Sequence, residues 1–588
     1  VRFLSVPAAV LLFASAAFTQ TTAESVALTM QQSLQSPDVT AWQVRRYVVS
    51  KVPRLVLPAR PGQWTAQADE LRRRALDVAF HGWPKEWVDA PPAFEDLGYI
   101  PSGTGYRLRK LRFQIVPGFQ GTALLYEPMS LEGKVPAILN VNGHEAEGKA
   151  MEYIQKRCIN QARQGILALN LEWIGMGELG TPENLHWNEA YLDLAGANGL
   201  GVMYLEMRRG LDYLWQHPHV DRKRIGITGL SGGGWQSIVL GALDERVTAA
   251  LPDAGYLSSM SLGGAEWVGD NEQSATDFNE FLDYTHLTAM RAPRPTMLIY
   301  NENDNCCFRA PRMKPFLYDD VRPFFALYGA QDKFSWYENT DPGDHNYQLD
   351  NRLHSYNFFA EYFGLPAVSR ESPAAADIKS RRELDVGLPK NNLNLLTLAR
   401  QFVANIERPS VPSDESVLTE WASKERSNLQ HVVRYKPVTL QFPWPVANSW
   451  GGGLKTIGYR FDMSNGLSAD GTWLKSTVVP DDAPWTVVLD DSGKKHAAEI
   501  ISDRVNRGEQ VLGVDLLFTG DAAPPKYSYP VYDRMLSTMG ERSLGIEAAQ
   551  LLTIVAWLRE TSGHPTGRIE VTGMRSQAVA LVDCPGDT

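Results

Sequence analysis

At 588 residues the chain is too long for one domain and reads as two to four. Its 44% hydrophobic and 21% charged residues supply sizeable cores, and a net charge of −11 without a dense Lys/Arg run argues against nucleic acid or an anionic membrane as partner. Four cysteines, Cys158, Cys306, Cys307 and Cys584, make neither a disulfide framework nor a C-x-x-C or His-linked metal pattern, so no metal and no cofactor are expected.

Residues 1–23 have the form of a secretory signal. Arg2 gives a minimal positive start, residues 3–18 are apolar, and small residues, Ser15, Ala16, Ala17 and Ala23, mark its end. The run is too short and broken to span a bilayer, and no later stretch is apolar enough. A secreted or periplasmic protein is expected, with no membrane insertion after cleavage. Residues 24–105 are mixed and polar, with a helix near 65–80, and read as an N-terminal cap packed on the domain C-terminal to it.

From Tyr106 the pattern changes. Residues 111–115 alternate, Pro117-Gly118 turns, and 121–126 resumes as strand, which is a hairpin signal. Residues 135–141 are a buried strand ending in Asn142-Gly143-His144. A helix over 154–164, a strand over 166–171 and a Gly-rich loop over 172–180 come next. Leu200, Met203, Met207, Leu211 and Leu214 then mark one face of a helix. Further strands are expected at 247–251, 296–300 and 334–337, with a helix to about Phe363. Alternating strand and helix predicts a mostly parallel, doubly wound α/β sheet over 106–365.

Within it, Gly229-Leu230-Ser231-Gly232-Gly233 fits the G-x-S-x-G turn that thrusts a serine out between strand and helix. Flanking side chains would collide there, and glycine removes them. The same five residues also fit a plain Gly-rich turn. What favours chemistry is the chain order. A serine hydroxyl needs a base, and the base needs an orienting carboxylate. Asp304 directly follows the 296–300 strand, and His345 lies in the loop Asp341-Pro342-Gly343-Asp344-His345-Asn346-Tyr347 after the last strand. Asp253 is a rival acid. Gly232 N–H is a candidate oxyanion donor, and His144 N–H is the choice for the second. Trp173, Trp187 and Trp235 flank the predicted site and are candidates to stack on a sugar ring.

Residues 366–430, rich in Pro, Ser and charge, read as a connector with one helical patch at 393–406. Residues 431–588 repeat the middle of the chain. Leu200-Gly201 matches Leu544-Gly545, and Ile227-Thr228-Gly229 matches Val571-Thr572-Gly573, both at an offset of 344 (544 − 200 and 573 − 229). Gly148-Lys149 pairs with Gly493-Lys494, and Asn170-Leu171 with Asp515-Leu516, within a residue of it. Arg575 stands where Ser231 would be. This copy is expected to be catalytically dead and, as written, incomplete.

Residues 90–365 resemble the acetyl-xylan-esterase and dienelactone-hydrolase-related branch of the α/β-hydrolases. The carrying motifs are Asn142-Gly143-His144…Gly148-Lys149, Gly229-Leu230-Ser231-Gly232-Gly233-Gly234, Glu302-Asn303-Asp304 and the His345 loop. Asn142 replaces the histidine that usually opens the oxyanion loop. The resemblance implies metal-free hydrolysis of a small ester or an acetylated polysaccharide by Ser231, His345 and Asp304 through an acyl-enzyme. It also implies an α/β-hydrolase fold for this region, beside the N-terminal cap and the degenerate hydrolase-like copy read from composition and from the internal repeat. Two other readings stand beside this one: a serine peptidase of prolyl-oligopeptidase type, and a non-catalytic carbohydrate-binding protein.

Overall fold

A computed structural model of the chain describes residues 21–264, 270–525 and 529–582. Cys584 and almost all of the expected signal lie outside them. The chain divides into two compact units. One comprises Arg45–Ser413 with Pro530–Glu541, and the other the chain up to Val44, Asp414–Tyr529 and the chain from Arg542. Among the described residues no helix is long and apolar enough to cross a membrane.

The first unit is built on a nine-stranded sheet. Its strands are β1 (Phe94–Ile100), β2 (Tyr106–Val116), β3 (Phe119–Pro128), β4 (Val135–Asn140), β5 (Leu167–Leu171), β6 (Val220–Leu230), β7 (Ala249–Asp253), β8 (Thr296–Asn301) and β9 (Phe334–Asn339), in the spatial order β1-β2-β3-β5-β4-β6-β7-β8-β9. The hairpin strands pair antiparallel, and from β5 onward every pair is parallel. This is the α/β-hydrolase arrangement. β5 and β7 are buried along their whole length, because crossover helices cover both faces of a parallel sheet. The Leu200–Gln216 helix buries Leu200, Met203, Met207, Leu211 and Leu214, the face its periodicity predicts.

The second unit carries a six-stranded sheet: β10 (Leu440–Gly451), β11 (Leu454–Met463), β12 (Ser468–Ser476), β13 (Trp485–Asp490), β14 (Gln510–Asp515) and β15 (Gly567–Thr572). Its order, β10-β11-β12-β14-β13-β15, has the same pattern as the first six strands of the other sheet.

Three boundaries differ from the sequence expectation. β1 extends the first sheet into the stretch read as cap. Its alternation is hidden because an edge strand leaves most of its side chains in water. Residues 21–44 cluster with the second sheet; there Val26 and Met30 bury themselves against Leu454, Leu474 and Ile501. The stretch read as connector is ordered. Leu384, Leu395 and Leu398 are fully buried, Arg352 pairs with Glu371, and residues Glu415–Val432 form a helix. Scattered leucines anchor this segment although its composition is loop-like.

Each sheet encloses a buried lysine. Lys149 Nζ lies 2.6 Å from Glu172 and also meets Glu178; all three side chains are at least nine-tenths buried. Lys494 Nζ lies 2.6 Å from Asp515 and 3.0 Å from Asp521. Lys149 N–H donates to Glu172 as Lys494 N–H does to Asp515, so Glu172 is the counterpart of Asp515, two residues beyond the Asn170 that sequence spacing pairs with it. Replacing Lys149 by Met strands two buried carboxylates. The expected loss is about 3–5 kcal/mol in chemical denaturation, with part of it regained when Glu172→Gln and Glu178→Gln are added.

Candidate active site

Ser231 sits between β6 and the Gly232–Leu243 helix with φ 59° and ψ −123°. For a non-glycine residue this is a strained conformation, costing of order 1–3 kcal/mol. The surroundings hold it there. Ser231 N–H donates to the Asp253 carbonyl at 3.0 Å, and its own carbonyl accepts from Trp235 N–H. A Cβ on Gly229 would lie 2.2 Å from the Val141 carbonyl oxygen, and one on Gly234 would lie 2.0 Å from that of Ala254. The glycines are therefore packing requirements of the turn. The helix after the turn directs its first N–H groups and its positive dipole end at the serine.

The acid and base come from the next strands. Asp304, just after β8, is buried. Its Oδ2 lies 2.7 Å from His345 Nδ1, and its Oδ1 accepts backbone N–H groups of Cys306, Cys307 and Phe308 at 2.9, 3.0 and 3.2 Å. Burial pushes this carboxyl up, but the bonds from His345 and the backbone outweigh it and the net shift is down. Burial pushes the His345 imidazole down, and the bond and charge of Asp304 turn the net shift upward. The two loops are tied together: Asn305 Oδ1 accepts from His345 N–H at 3.0 Å, and Asn303 N–H donates to the Gly343 carbonyl at 2.8 Å. Sequence reasoning missed Asn305 because nothing in its spacing marks it.

Asp253, the rival acid, is fully buried and pushed well above the carboxylate range by that burial. Its Oδ2 accepts from Asn351 at 3.0 Å, its Oδ1 has no partner, and His345 turns Nδ1 to Asp304 instead. Gly143 packs on the turn: a Cβ there would be 3.0 Å from Ser231 Cβ and 3.2 Å from Gly232 N. The Gly143 backbone therefore lies against the Gly232 N–H.

The tryptophans separate. Trp235 is fully buried and donates from Nε1 to Tyr284 Oη at 2.8 Å. It faces the core as part of the helix, which corrects its reading as a sugar platform. Trp173 is also buried and lies over Gly232, where a Cβ would be 2.2 Å from its ring; it is wall, not platform. Trp187 is 66% exposed, with its ring open to solvent.

The counterpart turn in the second unit differs. There the cap of the Met574–Leu581 helix is Gly573, with φ 98°, so Arg575 lies inside the first helical turn and not at the elbow position expected from the constant offset. Arg575 pairs with Glu547.

Residues 104–292 match the family model described as acetyl xylan esterase (AXE1). Acetyl esterase Axe7A of Xylanibacter ruminicola is 25% identical over 266 residues, 42% of this chain; the chain spans 56% of the length of that curated relative. Among solved structures, methylesterase BT1017 is 21% identical with a TM-score of 0.46, over 66% of this chain and 82% of its own. Acetyl xylan esterase 1 of Thermoanaerobacterium sp. JW/SL YS485 is 17% identical with a TM-score of 0.37, over 54% and 98%.

In an NMR titration the His345 imidazole is expected to lose its proton above the ordinary histidine range of about 6.5. Asp304→Asn removes the charge that raises it, and the midpoint should then fall.

Proposed function

We propose that this chain, whose residues 104–292 carry a carboxylic-ester-hydrolase domain of the acetyl xylan esterase family, is a secreted serine esterase acting on acetylated carbohydrate. The observation that carries the reading is the strained Ser231 at a helix N-terminus, with the Asp304–His345 pair at 2.7 Å supplied by strands of the same sheet edge. Ser231 Oγ attacks the ester carbonyl while His345 Nε2 takes its proton. Asp304 holds Nδ1–H and stabilises the imidazolium. Gly232 and His144 N–H groups receive the developing oxyanion. The leaving alcohol collects the proton from His345, and water then enters by the same path and releases the acid from the acyl-enzyme.

The pH dependence is set by the base. His345 must be neutral to accept the proton, so kcat/KM should rise with pH through its raised pKa, and not through the unperturbed value. Trp187, still exposed, is the remaining aromatic candidate to stack on a sugar. The second unit is read as a degenerate hydrolase-like domain, supported by the shared strand pattern and the repeated buried lysine. With Gly573 in place of a strained serine it has no nucleophile at the turn.

The test is acetate release from acetylated xylan together with hydrolysis of short p-nitrophenyl esters. Ser231→Ala is expected to lower turnover by about three to six decades and to abolish labelling by a fluorophosphonate probe. Unchanged turnover and labelling would return the elbow to a Gly-rich turn and favour a binding protein.

A further inference from the structure

The loops after β4, β5 and β7 gather a second polar cluster next to the nucleophile. His144 follows the Gly143 that packs on Ser231. Its Nε2 lies 3.0 Å from His186 Nδ1, 3.3 Å from an Asp270 carboxylate oxygen and 3.6 Å from Glu272 Oε1. His186 Nδ1 lies 3.0 Å from Glu272 Oε2. We propose that His144, His186 and Glu272 form a binding site for a zinc-class divalent cation, with Asp270 as a further oxygen ligand.

Proton counting gives the reason. His186 Nε2 is 2.8 Å from the Ile174 carbonyl, which accepts only, so Nε2 carries the hydrogen and Nδ1 of the neutral ring presents a lone pair. That lone pair faces His144 Nε2 and a carboxylate at the same distance. A single proton on Nδ1 can serve one of them. It leaves Glu272 Oε1 without a hydrogen-bond partner although the Glu272 side chain is wholly buried. Arg534 acts on Asp270 and Glu272 through its charge and donates to Asn271 at 2.7 Å, but it makes no hydrogen bond to that oxygen. One divalent cation among these atoms satisfies all of them.

The geometry and donor set indicate which cation. A tetrahedral ion with bonds of about 2.0–2.1 Å spaces its ligand atoms about 3.3–3.4 Å apart, and the distances of 3.0 to 3.6 Å bracket that value. Two imidazoles with carboxylate suit zinc and not calcium or magnesium. His186 donating its other ring N–H to a carbonyl is the usual way a metal-binding imidazole is oriented. Gly175 makes room for it: a Cβ there would be 3.1 Å from the ring. His144 and Asp270 are partly exposed, so an ion has a path from solvent. The other acidic cluster, Asp470, Asp515 and Asp521, lacks this character because Lys494 already fills its centre. The spacings of 42 and 86 residues between the three ligands match no sequence motif, which is why no metal is expected from sequence alone.

The test uses the full chain with Cys306→Ser and Cys307→Ser, which removes two free thiols near the active site. After equilibration with ZnCl2 and dialysis, one zinc per chain should remain by mass spectrometry. ZnCl2, but not CaCl2, should raise Tm. His144→Ala and Glu272→Gln should each weaken zinc binding by at least the about 10–100-fold typical of losing an outer-shell partner. His144→Ala alters a partly exposed side chain, so the test survives if Glu272→Gln folds poorly. Retention of no zinc with an unchanged Tm would mean that the cluster holds a proton only. Zinc uptake unaffected by both variants would place the ion elsewhere. Either result overturns the proposal.

Discussion

The active-site edge of the first unit depends on one close approach of backbone to backbone. The Val141 carbonyl oxygen comes within 2.2 Å of where a Gly229 Cβ would stand and within 2.5 Å of where one on Gly233 would stand. Only glycine permits β6 to turn there and the next helix to start at once. That turn holds Ser231 at a positive φ and lets Gly143 pack against Ser231 and the helix N-terminus.

Around the turn, polar groups stand in for packing. The His345 loop is held by asparagines: Asn339 Oδ1 accepts from Gly343 N–H at 2.8 Å, and Asn351 donates to the Asn346 carbonyl at 2.9 Å. Tyr347 closes the loop from below through Thr228 at 2.7 Å, with the Arg157 guanidinium over its ring. The network is not closed: Asp253 Oδ1, Asn351 Oδ1 and both terminal nitrogens of Arg157 have no hydrogen-bond partner, which costs stability where a closed network would add it. The Asp304–His345 pair draws its electrostatics from the same scaffold: the bond and charge of His345, helped by backbone N–H groups of the Asp304 loop, lower that carboxyl's pKa despite burial. The two sheets use a related device, a buried lysine between carboxylates, yet only one of them has a serine at its turn. Architecture and chemistry are separable in this chain.

The strands and their order were legible because buried parallel strands are short apolar runs and helix faces repeat every three or four residues. Ser231, Asp304 and His345 could be picked out as candidates because each lies in the loop or turn that follows a strand, in the chain order such chemistry needs. Trp235 misled because proximity in sequence to Ser231 says nothing about which way a helical side chain points; a few positions past the turn it faces inward. Arg575 misled because constant spacing assumes equal turns, and the second unit starts its helix two residues earlier. The connector misled because a few leucines in a polar stretch suffice to dock it.

By itself the sequence determined the alternation of strand and helix, the glycine elbow and the order Ser231, Asp304, His345, since each is encoded within a few neighbouring residues. Only the tertiary structure decided which carboxylate faces His345, which tryptophans are core, and that His144, His186 and Glu272 meet. These depend on which atoms distant loops bring within hydrogen-bonding reach, and such reach is set by the packing of the whole sheet edge and not by local propensity.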